Sequence, residues 1–237
     1  MLATLQHFGF SHITVLTIIT VITVFMILLC RKKAHSSSCR IALAVLAFLC
    51  LAIYPTHQTF HTLTGGADKL DALLPFHLCD IAAIICGFAL LTRKPILCEL
   101  AYFWGLAGTM QGLLTPDINH DFPNPLFIIF FLHHGVIVLT ALLLPLGLGW
   151  RPRPRAALRA FTWVLIYAEG AFILNYLLST NFGFLMHKPE TASLLDIMGP
   201  WPWYVLVLVI IAGLMFYLLE FPFRKSQSDS TELNETN

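Results

Sequence analysis

Seven long apolar stretches, each closed by a short polar one, set the rhythm of this sequence. They cover roughly residues 9–30, 41–62, 74–92, 96–115, 126–148, 158–178 and 202–221. Each is close to the length of about 20 residues that a helix needs to cross the hydrocarbon of a bilayer. The breaks between them carry turn and charge signals: RKK, GGADK, TRKP, TPDINHDFPNP, GWRPRPR, the long NFGFLMHKPETASLLDIMGPWP, and FRK. The pattern predicts an all-α fold, a polytopic membrane helix bundle with seven transmembrane helices in one domain over 1–225. The tail SQSDSTELNETN, 226–237, has almost no apolar residues and is expected to be disordered. The first stretch reads as a span and not as a signal peptide, because it is long and has no basic leader or small-residue cleavage site.

Composition supports the membrane reading. Hydrophobic residues make up 57% of the chain and charged residues only 11%, against about 25% charged in soluble domains. Where the charges fall gives the orientation. Assigning loops alternately to two sides puts Arg31, Lys32, Lys33, Arg40, Arg93, Lys94, Arg151, Arg153, Arg155, Arg159, Arg224 and Lys225 on one side. Only Lys69 and Lys188 fall on the other. The positive-inside rule then predicts an N-terminus outside and a C-terminus in the cytoplasm. The six cysteines are scattered singly, without the paired spacing of a disulfide framework or a zinc site.

With that orientation, chemistry-bearing side chains gather toward the outer face. All histidines but His35 lie in outer loops or outer halves of helices, with Cys79, Asp80, Gln111, Asp117, Asn175, Tyr176, Asn181 and Lys188. With helices ending at Leu74, Thr115, Leu126 and Leu178, a 1.5 Å rise puts Cys79 about 7 Å below its end. Gln111 lies about 6 Å in, His134 about 12 Å and Asn175 about 5 Å. Polar groups at such depth face the bundle interior or a wet cavity, so an outward-opening cavity shared by four helices is expected. Structural roles are expected elsewhere. Gly105, Gly108 and Gly112 permit close helix packing, and Glu99 and Glu169 make buried hydrogen bonds to neighbouring helices. Cys30, Cys50, Cys86 and Cys98 pack as small apolar groups, and Trp201 and Trp203 suit either an aromatic belt or a pocket wall.

The stretch LPFHLCDI, 74–81, is the chemically richest. Pro75 suits the first position of a helix, which sets Cys79 about one turn inside it, near a helix end that favours a thiolate. A nucleophilic cysteine needs a histidine partner. His77 is badly placed on a helix, two residues away, whereas His133 or His134 from the fifth span matches Cys79 better in depth.

LPFHLCDI, the glycine-bearing fourth span running into LLTPD, FFLHHG, NYLLSTNFGFLMHKP and SLLDIMGPWPWY together resemble the transmembrane protein 164 / YwaF family of multi-pass membrane proteins. The resemblance covers most of residues 70–222. It implies an acyltransferase with an active-centre cysteine that moves acyl chains between phospholipids, in a group distantly related to membrane lipid hydrolases with a histidine partner. On this chain the nucleophile falls on Cys79 and the histidine in HHG, with His134, directly before Gly135, preferred. Supporting or substrate-binding roles then fall to His77, Asp80, Gln111, Asp117, His133, Asn175, Tyr176, Asn181 and Lys188, with the oxyanion met by Asn175, Gln111 or a backbone N–H. The implied partners are membrane phospholipids and lysophospholipids, with no nucleic acid; no cofactor or metal is expected.

Other readings are weaker. A receptor lacks a D-R-Y-like end on the third span and N-P-x-x-Y on the seventh, and no lysine between Trp203 and Glu220 offers a retinal Schiff base. A small-molecule or proton-coupled transporter fits intramembrane His, Asp and Glu, but the sequence has no inverted repeat. A metal site from His77, Asp80, His133 and His134 lacks a recognised ligand spacing.

Overall fold

The computed structural model describes residues 4–32, 36–63, 70–189, 191 and 193–224, and among them every regular element is helical. Long helices are α1 (Phe10–Lys32), α2 (Ser37–Leu63) and α3 (Leu78–Thr92). Next comes α4 (95–114), built as Pro95–Phe103, a π segment Trp104–Thr109 and Met110–Leu114. The last three are α5 (Pro125–Leu148), α6 (Ala156–Leu178) and α7 (Trp203–Glu220). Short turns sit at Leu70–Leu73, Phe182–Phe184, Leu194–Met198 and Phe221–Phe223. Lys33, His35, Lys69 and the tail 226–237 lie outside the described residues.

Five of the helices (α1, α2, α5, α6 and α7) are long and apolar enough to cross a membrane. The protein is therefore a multi-pass integral membrane protein. The third and fourth predicted spans differ from the rest. α3 has 15 residues and spans only about 22 Å at 1.5 Å per residue, less than a 30 Å hydrocarbon core. α4 has the length but is interrupted by its π segment.

Local sequence explains the helix ends. Pro95 and Pro125 occupy first-turn positions, where a missing N–H costs nothing. Asn124 caps α5 by accepting from the Leu126 N–H at 2.9 Å. Gly149, at φ 66°, ends α5 in the left-handed region that suits glycine. α6 begins after Arg155 without a side-chain cap of its own. Glu220 of α7 supplies one, accepting the Ala157 N–H at 3.2 Å.

α5 is apolar on every side, and such helices are buried. Of its most apolar stretch 67% is buried, against 17% for α1, α6 and α7, whose outer faces are left for lipid. α1, α2, α3 and α4 pack around α5, while α6 and α7 pair with each other and lean on α4. His12, fully buried, joins α1 to the end of α4. Its Nδ1 accepts the Phe8 N–H at 2.9 Å, so Nε2 carries the proton and donates to the Leu113 carbonyl at 2.7 Å. The opposite, arginine-rich end is tied by Glu99, which is 0% exposed. Arg153 reaches it with Nε at 2.9 Å and a terminal nitrogen at 3.1 Å. Arg159 does so at 3.0 and 2.7 Å. Glu169, expected to be buried as well, is instead exposed on the face of α6, because that face has no neighbouring helix among the described residues.

Candidate functional site

The site grows from the start of α3. Pro75 is not the first helical residue as expected: residues 74–77 run irregularly and His77 is the N-cap. Cys79 is thus the second residue of the helix, inside its first turn. Asp80 closes the turn by accepting the His77 N–H at 3.2 Å, while its own N–H donates to the His77 carbonyl at 3.0 Å. The ring of His77 rests against Phe182 and Phe184, with centroids 5.5 and 5.8 Å away.

This helix start is recessed. The Leu73 carbonyl, just before it, accepts from Tyr54 and from Gln58 Nε2, the latter at 3.0 Å. Tyr54 lies nine residues before the last residue of α2, about 13 Å below its end. The Cys79 carbonyl lies 3.3 Å from His133 Nε2, and His133 is about 12 Å below the start of α5. Cys79 is therefore deeper than the expected 7 Å, because the chain turns into the bundle before α3 starts.

His133 is the histidine that meets the cysteine. The donor atoms of Cys79, Asp80 and His133 all lie within 4.8 Å of one another, and Asp80 Oδ1 is 3.8 Å from His133 Nε2. A single divalent cation fits such a three-donor set. Cys79 is half-buried, Asp80 and His133 buried. His134 sits beside the cluster. Its ring stacks on Phe130 at 4.2 Å, and its Nδ1 donates to the Phe130 carbonyl at 2.9 Å, which leaves the Nε2 lone pair unused by that contact. The ring fits only because residue 112 is glycine: a Cβ there would stand 2.4 Å from His134 Nε2. Gly108 likewise admits Leu78, whose Cδ2 would be 2.9 Å from an added Cβ. Both glycines flank or belong to the π segment of α4, a feature frequent at functional sites.

These groups open on a cavity of about 830 Å³, a size typical of ligand pockets. Its polar part includes Cys79, Asp80, His133, His134, Gln111, Asp117, His120, Asn181, His187 and Lys188. Its apolar part runs between α4, α6 and α7 along Trp104, Val164, Leu208, Val209, Ala212 and Phe216. Gln111 Oε1 is buried without a hydrogen-bond partner among the described residues.

Several expected site residues also hold the segment between α6 and α7. Asn175 accepts from Thr180 Oγ1 at 3.0 Å and from the Phe182 N–H at 2.6 Å. Its Nδ2 donates to the Phe182 carbonyl at 3.0 Å. So engaged, Asn175 holds the loop, and it does not line the cavity. Asn181 folds the same loop through the Met186 and His187 N–H groups at 3.0 and 3.2 Å. Asp117 accepts from Thr191 Oγ1 at 2.6 Å, fastening this segment to the α4–α5 loop. Lys188 Nζ lies over the Tyr204 ring at 5.7 Å and lines the cavity. Tyr176 is 76% exposed and does not line the cavity. Trp201 and Trp203, exposed on the surface, do not line it either. Tyr167 and Tyr54, which the sequence does not single out, line the cavity beside Cys79. Both are ordinary aromatics in apolar spans, so no local signal marks them. Tyr167 donates to the Phe76 carbonyl at 2.9 Å, bracing the approach to α3.

A family model described as TMEM164 family matches residues 7–220. A protein of Treponema pallidum (strain Nichols), described as uncharacterized, is 30% identical over 230 residues, covering 96% of this chain and 91% of that protein. No solved structure matches.

Proposed function

The chain belongs to the TMEM164 family, and from that premise we propose that it is a cysteine-dependent lipid acyltransferase working in the membrane. The observation that carries the reading is the Cys79–Asp80–His133 cluster, with its donor atoms within 4.8 Å, in a cavity with a polar and an apolar part. A phospholipid has the same two-part character. The positive-inside count favours seven crossings with the N-terminus outside, so the site opens toward the outer leaflet.

In the resting site His133 Nε2 donates to the Cys79 carbonyl at 3.3 Å; in the proposed reaction the ring proton moves to Nδ1, and the freed Nε2 accepts the Cys79 thiol proton. The Cys79 carbonyl and Asp80 Oδ1, at 3.3 and 3.8 Å, then face the imidazolium. The thiolate attacks the ester carbonyl of a phospholipid, the ester C–O bond breaks, and the departing lysophospholipid oxygen takes the proton. The acyl group remains as a thioester on Cys79. A lysophospholipid hydroxyl next attacks that carbonyl, giving up its proton to the Nε2 lone pair of His134, and the thiolate leaves. The Cys79 N–H, at the start of α3, and the Gln111 amide are the proposed donors for the oxyanion.

The test uses purified protein, a fluorescent phospholipid donor and a lysophospholipid acceptor. The expected products are acylated acceptor and a hydroxylamine-sensitive acyl group on Cys79. Flux of a small solute in liposomes with no covalent intermediate supports the transporter alternative instead. Activity abolished by chelation and restored by zinc assigns the cluster to a metal.

Gly112→Ala gives a second expectation. The added methyl overlaps the His134 ring; a reacting group displaced by about 1 Å costs on the order of 100-fold in rate. Transfer to the acceptor should fall by that factor while the protein remains folded, as checked by size-exclusion chromatography and the transfer rate side by side.

A further inference from the structure

Below the cysteine, the apolar part of the cavity has a defined length and a defined floor. Val205 of α7 packs in the small cluster of Phe182 and Leu74, level with the start of α3. From Val205 the cavity follows α7 through Leu208, Val209 and Ala212 to Phe216. Eleven residue steps at 1.5 Å make this limb about 16 Å long. Half of a 30 Å hydrocarbon core, the share of one leaflet, is about 15 Å. The limb thus matches one extended acyl chain hanging from the level of Cys79.

Three aromatic rings close its lower end. Phe216 is 3% exposed and lies 5.4 Å from Phe103 and 6.2 Å, edge-on, from Phe161. Phe161 is in turn braced by α7 at Gly213, where an added Cβ would stand 3.3 Å from its ring. Both Phe161 and Phe216 line the cavity. Among the described residues no ionisable side chain lines this lower limb, which suits hydrocarbon.

We propose that this limb seats the acyl chain that Cys79 receives, and that Phe161 and Phe216 set the longest chain accepted. The proposal rests on the acyltransferase reading for its chemistry, but the seat is a physical feature that lipid binding alone reports. A chain whose end reaches the aromatic floor fills the limb. A longer one must bend or displace a ring, and each misfitting methylene is worth about 10-fold or more in discrimination.

The test has two readouts on the full-length protein. First, phosphatidylcholines of graded chain length are supplied to the wild type, to Phe161→Ala and to Ala212→Phe, and the acyl groups released from Cys79 by hydroxylamine are identified. Phe161→Ala is expected to shift the preference to longer chains. Ala212→Phe, which fills the limb one helical turn above Phe216, is expected to reduce long-chain acylation at least about 10-fold. Second, native mass spectrometry compares co-purified lipid on Cys79→Ala with and without Ala212→Phe, the added ring being expected to expel it. Acylation of Cys79 with one unchanged chain profile in all three proteins overturns the seat and leaves the transfer reading standing. Absence of acylation, with lipid expelled by Ala212→Phe, sinks the transfer reading and upholds the seat. Absence of both acylation and bound lipid overturns the seat as well.

Discussion

Cys79→Ala is expected to abolish acyl transfer, with a loss on the order of 10³-fold or more, as when other enzymes lose their nucleophile. No other thiol stands ready to replace it: Cys30, Cys39, Cys50, Cys86 and Cys98 are buried and do not line the cavity. The histidine variants then separate the two half-reactions. His133→Ala removes the group 3.3 Å from the Cys79 carbonyl and within the cluster. It should prevent formation of the thioester, with a loss of about 10²- to 10⁴-fold typical of general-base removal. His134→Ala should leave the thioester detectable but slow its passage to the lysophospholipid, so acyl-enzyme accumulates. The measurement is single-turnover labelling of Cys79, followed by a chase with unlabelled acceptor. Equal loss of labelling in both variants contradicts the division of labour. Normal labelling in His133→Ala removes His133 from the reaction.

The second large effect is on stability. Joint replacement of Arg153 and Arg159 by alanine strips all four side-chain contacts from Glu99, a carboxylate with no exposed surface. Breaking a buried pair by removing one side costs about 3–5 kcal/mol. Either arginine alone is expected to cost much less, because the remaining one still holds Glu99 with two hydrogen bonds. Adding Glu99→Gln to the double variant should recover part of the loss, since a neutral amide is cheaper to bury than an unpaired charge. Thermal unfolding in one detergent, read across the series, checks the order. A double variant as stable as the wild type would mean that the arginine-rich end is held by other contacts.

The helix positions were legible because the membrane imposes a one-dimensional rule. A span must be apolar for its whole length, and polar punctuation must sit at its ends. The start of the third helix escaped that rule. Leu74, Pro75 and Phe76 are apolar enough to read as helix, yet their backbone turns into the bundle, where Tyr54, Gln58 and Tyr167 satisfy the carbonyls of Leu73 and Phe76. Nothing in the local pattern marks partners that arrive from α2 and α6. Glu99 and Glu169 make the same point from the other side. Both are carboxylates in apolar spans, and only the packing shows one buried between arginines and the other on an open face.

By itself the sequence determined that this is a many-helix membrane protein, and it set the histidines other than His35 toward one end and the arginines toward the other. Those are properties of residue type along a line, and transfer from water to hydrocarbon depends on little else. The LPFHLCDI stretch marked Cys79 for attention as well. Only the tertiary structure decided which histidine meets it, since His133 and His134 are chain neighbours on α5. One is set against Cys79 and Asp80, and the other is turned onto Phe130 and into the space left by Gly112. It also assigned Asn175 to the loop instead of the site. Consecutive helical residues point about 100° apart, so the choice between them rests on how helices pack in three dimensions.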